Sequence, residues 1–325
     1  MIVMKRPLDL LCLGEMLIDF VPVPAGSSLN RTRRLALAPG GAPANVAVAA
    51  RRLGLGTGFI GSVGDDPFGR LLRDVLLQQD VDLSLFHLTR DSLTRLAFVT
   101  NDADERQRFL FYGNPGADVL LRPKDIRAGY LKSARAFHFG SISLIQDPAH
   151  SATLAAIAQA RRFGLIISFD PNLRPHLWPS LRQAKRQILK ALKFCQVLKL
   201  SDSEWEFLFP GQSFQTGLDQ LWETGVQLVA MTLGGKGAMV ANRQAIVKVE
   251  ALPIKVVDTT GAGDGFMAGL ILGILQKGTF DLNRFELLEL TRLATVVGSL
   301  TCRRAGAIPG FPSLREVKEN LRSLR

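Results

Sequence analysis

Hydrophobic positions fall into two kinds of segment that alternate along the chain. Short unbroken apolar runs predict buried strands over 8–13, 58–63, 136–140, 165–170, 197–200 and 228–232. Apolar residues at helical spacing predict helices over 42–53, 67–79, 148–162, 180–192, 202–209, 215–223, 263–276 and 285–301. A hairpin-like pair is predicted at 238–241 and 245–248. This succession builds a mostly parallel sheet covered by helices on both faces. Segments 16–23, 34–38, 95–100 and 107–112 break the rhythm, because they alternate at period two with polar turns between them. They predict a second, small sheet beside the C-terminal ends of the main strands, placed as a lid. With no internal repeat or low-complexity linker, the expectation is one α/β domain over 1–325, its lid inserted as 16–39 and 94–116.

Composition narrows the class. A chain that is 47% hydrophobic and 21% charged is neither disordered nor fibrous. Cys12, Cys195 and Cys302 are far apart and odd in number, which excludes a disulfide framework or a C-x-x-C zinc site and suits a reducing compartment. No apolar stretch reaches the length of a bilayer span and no targeting leader is visible, so the expected location is the cytoplasm, with no membrane partner. The net charge of +11 is scattered rather than massed in one tail, and aromatics are only 7% of residues. A solvated basic surface, with no specific nucleic-acid partner, follows.

One familiar spacing misleads. Gly56-Thr57-Gly58-Phe59-Ile60-Gly61 matches the G-x-G-x-x-G of dinucleotide folds, but it follows a predicted helix and runs into a strand. It reads as a turn and the strand after it. No G-x-x-x-x-G-K-[ST] loop, H-R-D loop, H-E-x-x-H or G-x-S-x-G occurs, so phosphate would need another device. That device is the run from Asp258 to Phe266, just before an apolar helix. Gly261 and Gly263 let backbone N–H groups curl toward one point, and the helix start adds its positive end. Asp264 at the mouth is either a helix cap or a base. An anion cradle next to a base is what phosphoryl transfer to an alcohol requires. Gly40 and Gly41 open a second helix, where Asn45 can offer a donor and an acceptor to a hydroxyl, and Asp19 is the only charge in its strand. Such a buried acid needs a partner, and vicinal hydroxyls are one.

Four segments in order, from Gly14 to Asp19, from Gly40 to Asn45, from Gly61 to Gly69, and from Asp258 to Asp264, resemble the signatures of the ribokinase-like, or PfkB, family of sugar kinases. The resemblance runs over nearly the whole chain. It implies a three-layer ribokinase-like sandwich, α/β with a central mostly parallel sheet and a small β lid. It also implies ATP as donor, Mg²⁺, and K⁺ as monovalent activator. Carried to this sequence, it makes Asp264 the base and Gly261, Ala262 and Gly263 the anion hole. Asp19, Gly40, Gly41, Asn45, Phe98 and Arg174 would hold the sugar. Lys199, Ser201, Glu204, Thr232, Gly234 and Gly237 would serve the nucleotide and, through Glu204 and water, Mg²⁺. Asp258, Thr260 and Gly306 would surround the monovalent ion. The segments from Phe169 to Trp178 and from His138 to Ser143 lean toward fructokinases, with 2-keto-3-deoxygluconate kinases as the nearer alternative. A non-catalytic, kinase-like binding subunit is the alternative of another class. Gly113, where fructokinases commonly carry Arg on the lid, is a departure, and Ser201 replaces a usual Asn. The lid also implies a homodimer that pairs through it.

Overall fold

The computed structural model describes residues 8–23, 27, 29–101, 107–112 and 115–323. Its strands in chain order are β1 (Leu10–Leu13), β2 (Leu17–Pro22), β3 (Leu35–Gly40), β4 (Thr57–Gly64), β5 (Asp82–Thr89), β6 (Leu96–Asn101) and β7 (Gln107–Tyr112). These continue with β8 (Ala136–Phe139), β9 (Ile166–Phe169), β10 (Val197–Ser201), β11 (Leu228–Thr232), β12 (Ala238–Ala241) and β13 (Ile246–Val249). The α-helices are α1 (Ala42–Arg52), α2 (Pro67–Gln78), α3 (Ala128–Lys132), α4 (Ala149–Arg162), α5 (Leu181–Leu192) and α6 (Asp202–Leu208). They end with α7 (Phe214–Glu223), α8 (Ala262–Lys277), α9 (Arg284–Thr301), α10 (Ala307–Gly310) and α11 (Leu314–Ser323).

Nine strands form the main sheet in the order β13-β12-β11-β10-β9-β8-β1-β4-β5, parallel except for the β11-β12-β13 meander at one edge. Along β1 the side chains divide by period two: Leu10 and Cys12 enter one apolar cluster, Leu11 and Leu13 the other. The first cluster is covered by α1, α2, α8, α9 and α11, the second by α4, α5, α6 and α7. A strand buried on both faces must be apolar throughout, which is why the central runs were legible as unbroken. The three-layer α/β expectation is met.

The period-two segments form a separate four-stranded sheet, β3-β2-β6-β7, in which only the β2–β6 pair is parallel. The G-x-G-x-x-G spacing lies within and just before β4, as its context required. Elements that the pattern did not predict are β5, an edge strand whose residues are mostly half-buried, and the short helices α3 and α10. Helix α11 was also missed, because it buries only Val317 deeply and its remaining residues are polar or half-exposed. Gly113 lies outside the described residues.

Helix α8 is apolar almost all round, because it is packed between α1 and α9. Gly265 and Gly269 permit that closeness: a Cβ at either would stand 2.6 Å from Thr301 Oγ1 or 2.9 Å from Ala294 Cα. The helix therefore presents its N-terminal residues from a fixed position.

Candidate active site

Two cavities meet at the start of α8. The first, of about 420 Å³, is bounded by the lid, the N-terminal ends of α1 and α8, and the loops after β9 and β10. Gly261 is the N-cap of α8 with φ 81°, a left-handed conformation that favours glycine, and a Cβ there would also stand 2.6 Å from that of Ala307. Asp264, in the first turn, is 6% exposed. Its Oδ2 accepts from Asn45 Nδ2 at 2.9 Å and its Oδ1 from Asn172 Nδ2 at 3.4 Å. Burial, and then the charge of Asp170, push its carboxyl up to about 6, against the Asn45 hydrogen bond and the Lys199 charge that favour the anion. Asn45 donates to Asp264 while its Oδ1 has no partner among the described residues. One side chain thus holds the Asp264 carboxylate and keeps an acceptor spare.

Asp19 reaches the cavity from the inner face of β2. A Cβ on Gly40, which lies diagonally across the β2–β3 pair opposite Leu17, would come 2.5 Å from Asp19 Oδ2, so glycine there makes room for the carboxylate. Desolvation pushes Asp19 up to about 7; Arg174 opposes the rise and the charges of Asp258 and Asp264 add to it. Gly41 and Arg174 line the same cavity. Arg174 lies 5.4 Å over the Phe109 ring, and its Nη1 donates to the carbonyls of Asn172 and Leu173 at 3.4 Å.

Phe98 requires a correction of place. It does not line the cavity; it stacks on Phe20 at 4.8 Å and meets Tyr112 edge-on at 5.1 Å, on the opposite face of the lid. In the β6–β7 register Phe98 opposes Leu110, while Ala97 opposes Phe111 and Val99 opposes Phe109. One residue of register exchanges the faces of a sheet, and so Phe109 and Phe111 are the aromatic rings at the cavity.

On the far wall, Lys199 Nζ donates to Asp170 Oδ2 at 2.6 Å, with both groups almost wholly buried. Burial alone would lower the Lys199 pKa, but Asp170, Glu204 and Asp264 together hold it raised, so the cation persists. Sequence reasoning did not pair these two. The signal was present: one acid at the end of a buried strand and one base within another must find a partner. Glu204 closes a capping box with Ser201, whose N–H and Oγ both donate to Oε2 at 2.8 Å, and its Oε1 accepts from Leu173 N at 2.7 Å. Glu15, also missed, lines this cavity; its Oε1 accepts from Ala42 N at 3.0 Å and burial pushes it up to about 7. His138 is a packed strand residue bonded to Ser168 Oγ at 3.0 Å, pulled down to about 3 by burial.

The second cavity, of about 370 Å³, lies on the other side of the same loop. Gly234, Gly237 and Ala262 line it, Thr232 and Gly263 border both cavities, and Leu252, Pro253, Ile254, Val256 and Phe266 make its walls apolar. Behind it, Asp258 Oδ1 accepts from Thr260 N and Oγ1 at 2.9 and 2.7 Å, and Oδ2 accepts from Gly306 N at 2.7 Å. These three residues come together by bonding to one another. Asp258 thereby ties the loop before α8 to the loop after α9.

A cation in the first cavity would have to rely on few protein ligands. Among the described residues no cluster of three or more His, Cys, Asp or Glu forms a cage. Glu204, whose Oε1 and Oε2 accept from Leu173 and Ser201, lines the same cavity.

Comparison with known proteins agrees with this geometry. The profile of the family described as "pfkB family carbohydrate kinase" matches residues 8–314. A probable fructokinase-4 of Arabidopsis thaliana is 42% identical over 311 residues, covering 95% of each chain. The crystal structure of a fructokinase with bound ATP from Xylella fastidiosa superposes with a TM-score of 0.89 at 31% identity, covering 98% of this chain and 99% of that one. A Vibrio cholerae fructokinase double mutant, in a form with fructose, ADP and potassium ion bound, gives 0.84 at 32% identity over 97% and 98%.

Proposed function

We propose that this chain, which belongs to the pfkB family of carbohydrate kinases, transfers the γ-phosphoryl group of ATP to the terminal hydroxyl of fructose, giving fructose 6-phosphate. The observation that carries the reading is Asp264: a buried carboxylate at the start of α8, held by two amides, beside the Gly261–Gly263 backbone and facing a cavity that also holds Asp19 and Asn45.

The sugar hydroxyls would be met by Asp19 and by the free Oδ1 of Asn45. Asp264 Oδ atoms would accept the proton of the attacking hydroxyl, and the raised pKa makes that carboxylate a stronger base than an exposed aspartate. The Gly263 N–H at the helix start, with Lys199 across the cavity, would take the charge of the transferred group, while the Ala262 N–H donates to the Thr259 carbonyl at 3.1 Å and shapes the turn. Bound Mg²⁺ would neutralise charge on the phosphates. Phe109 and Phe111 on the lid's inner face would exclude water, which otherwise competes as acceptor. The loop tied by Asp258 is where a monovalent ion such as K⁺ would act, by ordering the cradle.

The balance of charge favours a neutral polyol over a sugar acid. Glu15, Asp19, Glu204 and Asp264 line the cavity, against Lys199 and Arg174. A substrate carboxylate would meet that excess of acid, although Arg174 could pair with it. The test is ADP release from ATP·Mg²⁺ with fructose, glucose, ribose, adenosine and 2-keto-3-deoxygluconate in parallel. Turnover led by fructose supports the reading; turnover led by 2-keto-3-deoxygluconate overturns the substrate and keeps the class.

Two further points belong to the same reading. The outer face of the lid exposes Leu37, Leu110 and Tyr112 beside Phe20 and Phe98, an apolar surface that a second copy of the lid would cover. Leu110→Glu should shift sedimentation from dimer to monomer, and a wild-type monomer would refute the pairing. Three buried, unpaired cysteines support a cytoplasmic location. No described helix is long and apolar enough to cross a membrane.

A further inference from the structure

The excess of positive charge is concentrated in one stretch of the chain. Residues 122–193 hold thirteen Lys and Arg against three Asp and Glu, so they supply ten of the eleven excess charges and the rest of the chain is close to neutral. Folding gathers this stretch into one layer: α3, α4 and α5 pack against the second apolar cluster, on the face of the main sheet opposite α1, α8 and α9. Neither α4 nor α5 carries an acidic residue. Arg161, Arg162, Arg182, Arg186, Lys190 and Lys193 are exposed there, and none has an ion-pair partner among the described residues. Arg161 and Arg162 lie instead 5.8 and 5.9 Å over the Phe194 and Phe163 rings. The three acids do not balance the face: Asp170 is buried against Lys199, while Asp125 and Asp147 accept from the backbone N–H groups of Arg122 and Ser151. On the other layer charges are matched, as Arg315 with Glu319 and Arg304 with Glu316. Like charges massed on one face repel, a cost that an anionic partner would remove.

We infer that the α3–α4–α5 face is a docking surface for an anionic lipid bilayer, against which the protein lies peripherally. The inference goes beyond the kinase reading and does not rest on it. Neither cavity at the start of α8 is lined by α3, α4 or α5, so docking on this face leaves the lining of both untouched. Charge complementarity calls for a polyanion, and two further features choose the bilayer. Leu154 on α4 and Leu181 on α5 are 37% and 52% exposed, and apolar side chains set among Lys and Arg suit the boundary between headgroups and acyl chains. The long stems of the basic residues can lie along that boundary while their charged ends reach lipid phosphates. A nucleic-acid backbone would leave both leucines uncovered, and single strands are held by exposed aromatic rings, whereas residues 122–193 expose no Phe, Tyr or Trp.

The test is co-sedimentation of the full chain with phosphatidylcholine vesicles containing about 30% phosphatidylserine, and with phosphatidylcholine alone, at low and high salt. Expected is binding to the anionic vesicles only, lost at high salt as screening shortens the reach of each charge. Arg186→Glu with Lys190→Glu should weaken binding by more than about tenfold, since each basic residue near such a surface contributes roughly fivefold. Arg161→Glu with Arg162→Glu should do the same from α4. Lys318→Glu with Arg322→Glu makes an equal change of charge on α11, in the other layer, and should cost no more than about twofold. Leu154→Ser with Leu181→Ser should weaken binding a few-fold. Melting temperature and turnover of these variants should match wild type, since the changed residues line neither cavity at the start of α8. Wild type that stays in solution beside anionic vesicles at low salt overturns the inference. So does an equal loss from the α11 pair, which would make net charge rather than this face responsible. Leucine variants that bind vesicles as wild type does, or retention on duplex RNA stronger than on vesicles, would overturn the bilayer as the partner.

Discussion

The two cavities at the start of α8 have similar volumes, about 420 and 370 Å³, and opposite chemistry. The first gathers Glu15, Asp19, Lys199, Glu204 and Asp264 within one partly closed space, and burial pushes Glu15, Asp19 and Asp264 toward neutral pH. The second is walled by apolar side chains, and among the described residues its buried Thr295 hydroxyl has no partner. A cavity that does chemistry must hold charge away from water, at a cost in stability. A cavity that only holds a ligand can be built from stable packing with a single polar contact. The Gly261–Gly263 loop is the wall between them, so a phosphate chain entering from the apolar side would have its terminal group at the base.

The widest separation of the two should come from Asp264→Asn. Removing a general base typically costs a factor of about 10² to 10⁴, so turnover should collapse while ADP binding measured by calorimetry remains. Its pH behaviour follows from the same residue. Wild-type kcat should fall below about pH 6 as Asp264 takes a proton, and the residual rate of the variant should lack that limb. Stability runs the other way. A carboxyl raised above its unfolded value binds its proton more tightly when folded, which stabilises the protein below about pH 4 and is lost as pH rises through about 6. Asp264→Asn should therefore melt higher than wild type at pH 8, with the gap closing toward pH 4. A variant that melts lower throughout would assign Asp264 to the fold.

Asp19→Asn should act on the polar cavity alone. Loss of a charged hydrogen bond to a sugar hydroxyl is worth about 1.5–3 kcal/mol, so KM for fructose should rise by roughly tenfold or more, with KM for ATP unchanged. A rise in both would mean that Asp19 orders the lid rather than binds the sugar. The smallest effect is expected from Val256→Glu. Val256 is 57% exposed at the rim of the apolar cavity, so the change should leave the fold intact. A nearby like charge should raise KM for ATP by a few-fold, most at low salt, and leave fructose alone. Equal effects on both substrates would break the division of labour.

Much of this was readable in the chain. The anion loop from Asp258 to Asp264 was visible because glycines, an acid and the start of an apolar helix lie within seven residues, and such local arrangements survive any packing. The lid was visible as a change of period. Which lid face looks inward was not: Phe98, Phe109 and Phe111 are equally aromatic in sequence, and only the β6–β7 register and the position of α2, where Phe68 meets Phe20, separate them. Strand β5 was missed because an edge strand is half-buried and lacks the unbroken apolar run of its neighbours. Glu15 was passed over although it stands four residues before Asp19, since nothing local says that its Oε1 reaches the Ala42 N–H.

The sequence by itself determined most of the strands and helices, the three-layer class, and the glycine loop with its acid at the start of α8, all properties written in residues close together. The tertiary structure decided that Asn45 holds Asp264 across 219 positions, that Asp170 and Lys199 neutralise each other, and that the buried Thr295 hydroxyl has no partner among the described residues. The physical reason is one of range. Period, turn chemistry and helix starts depend on a few neighbouring residues, whereas a partner for a buried polar group is found only when distant segments have packed.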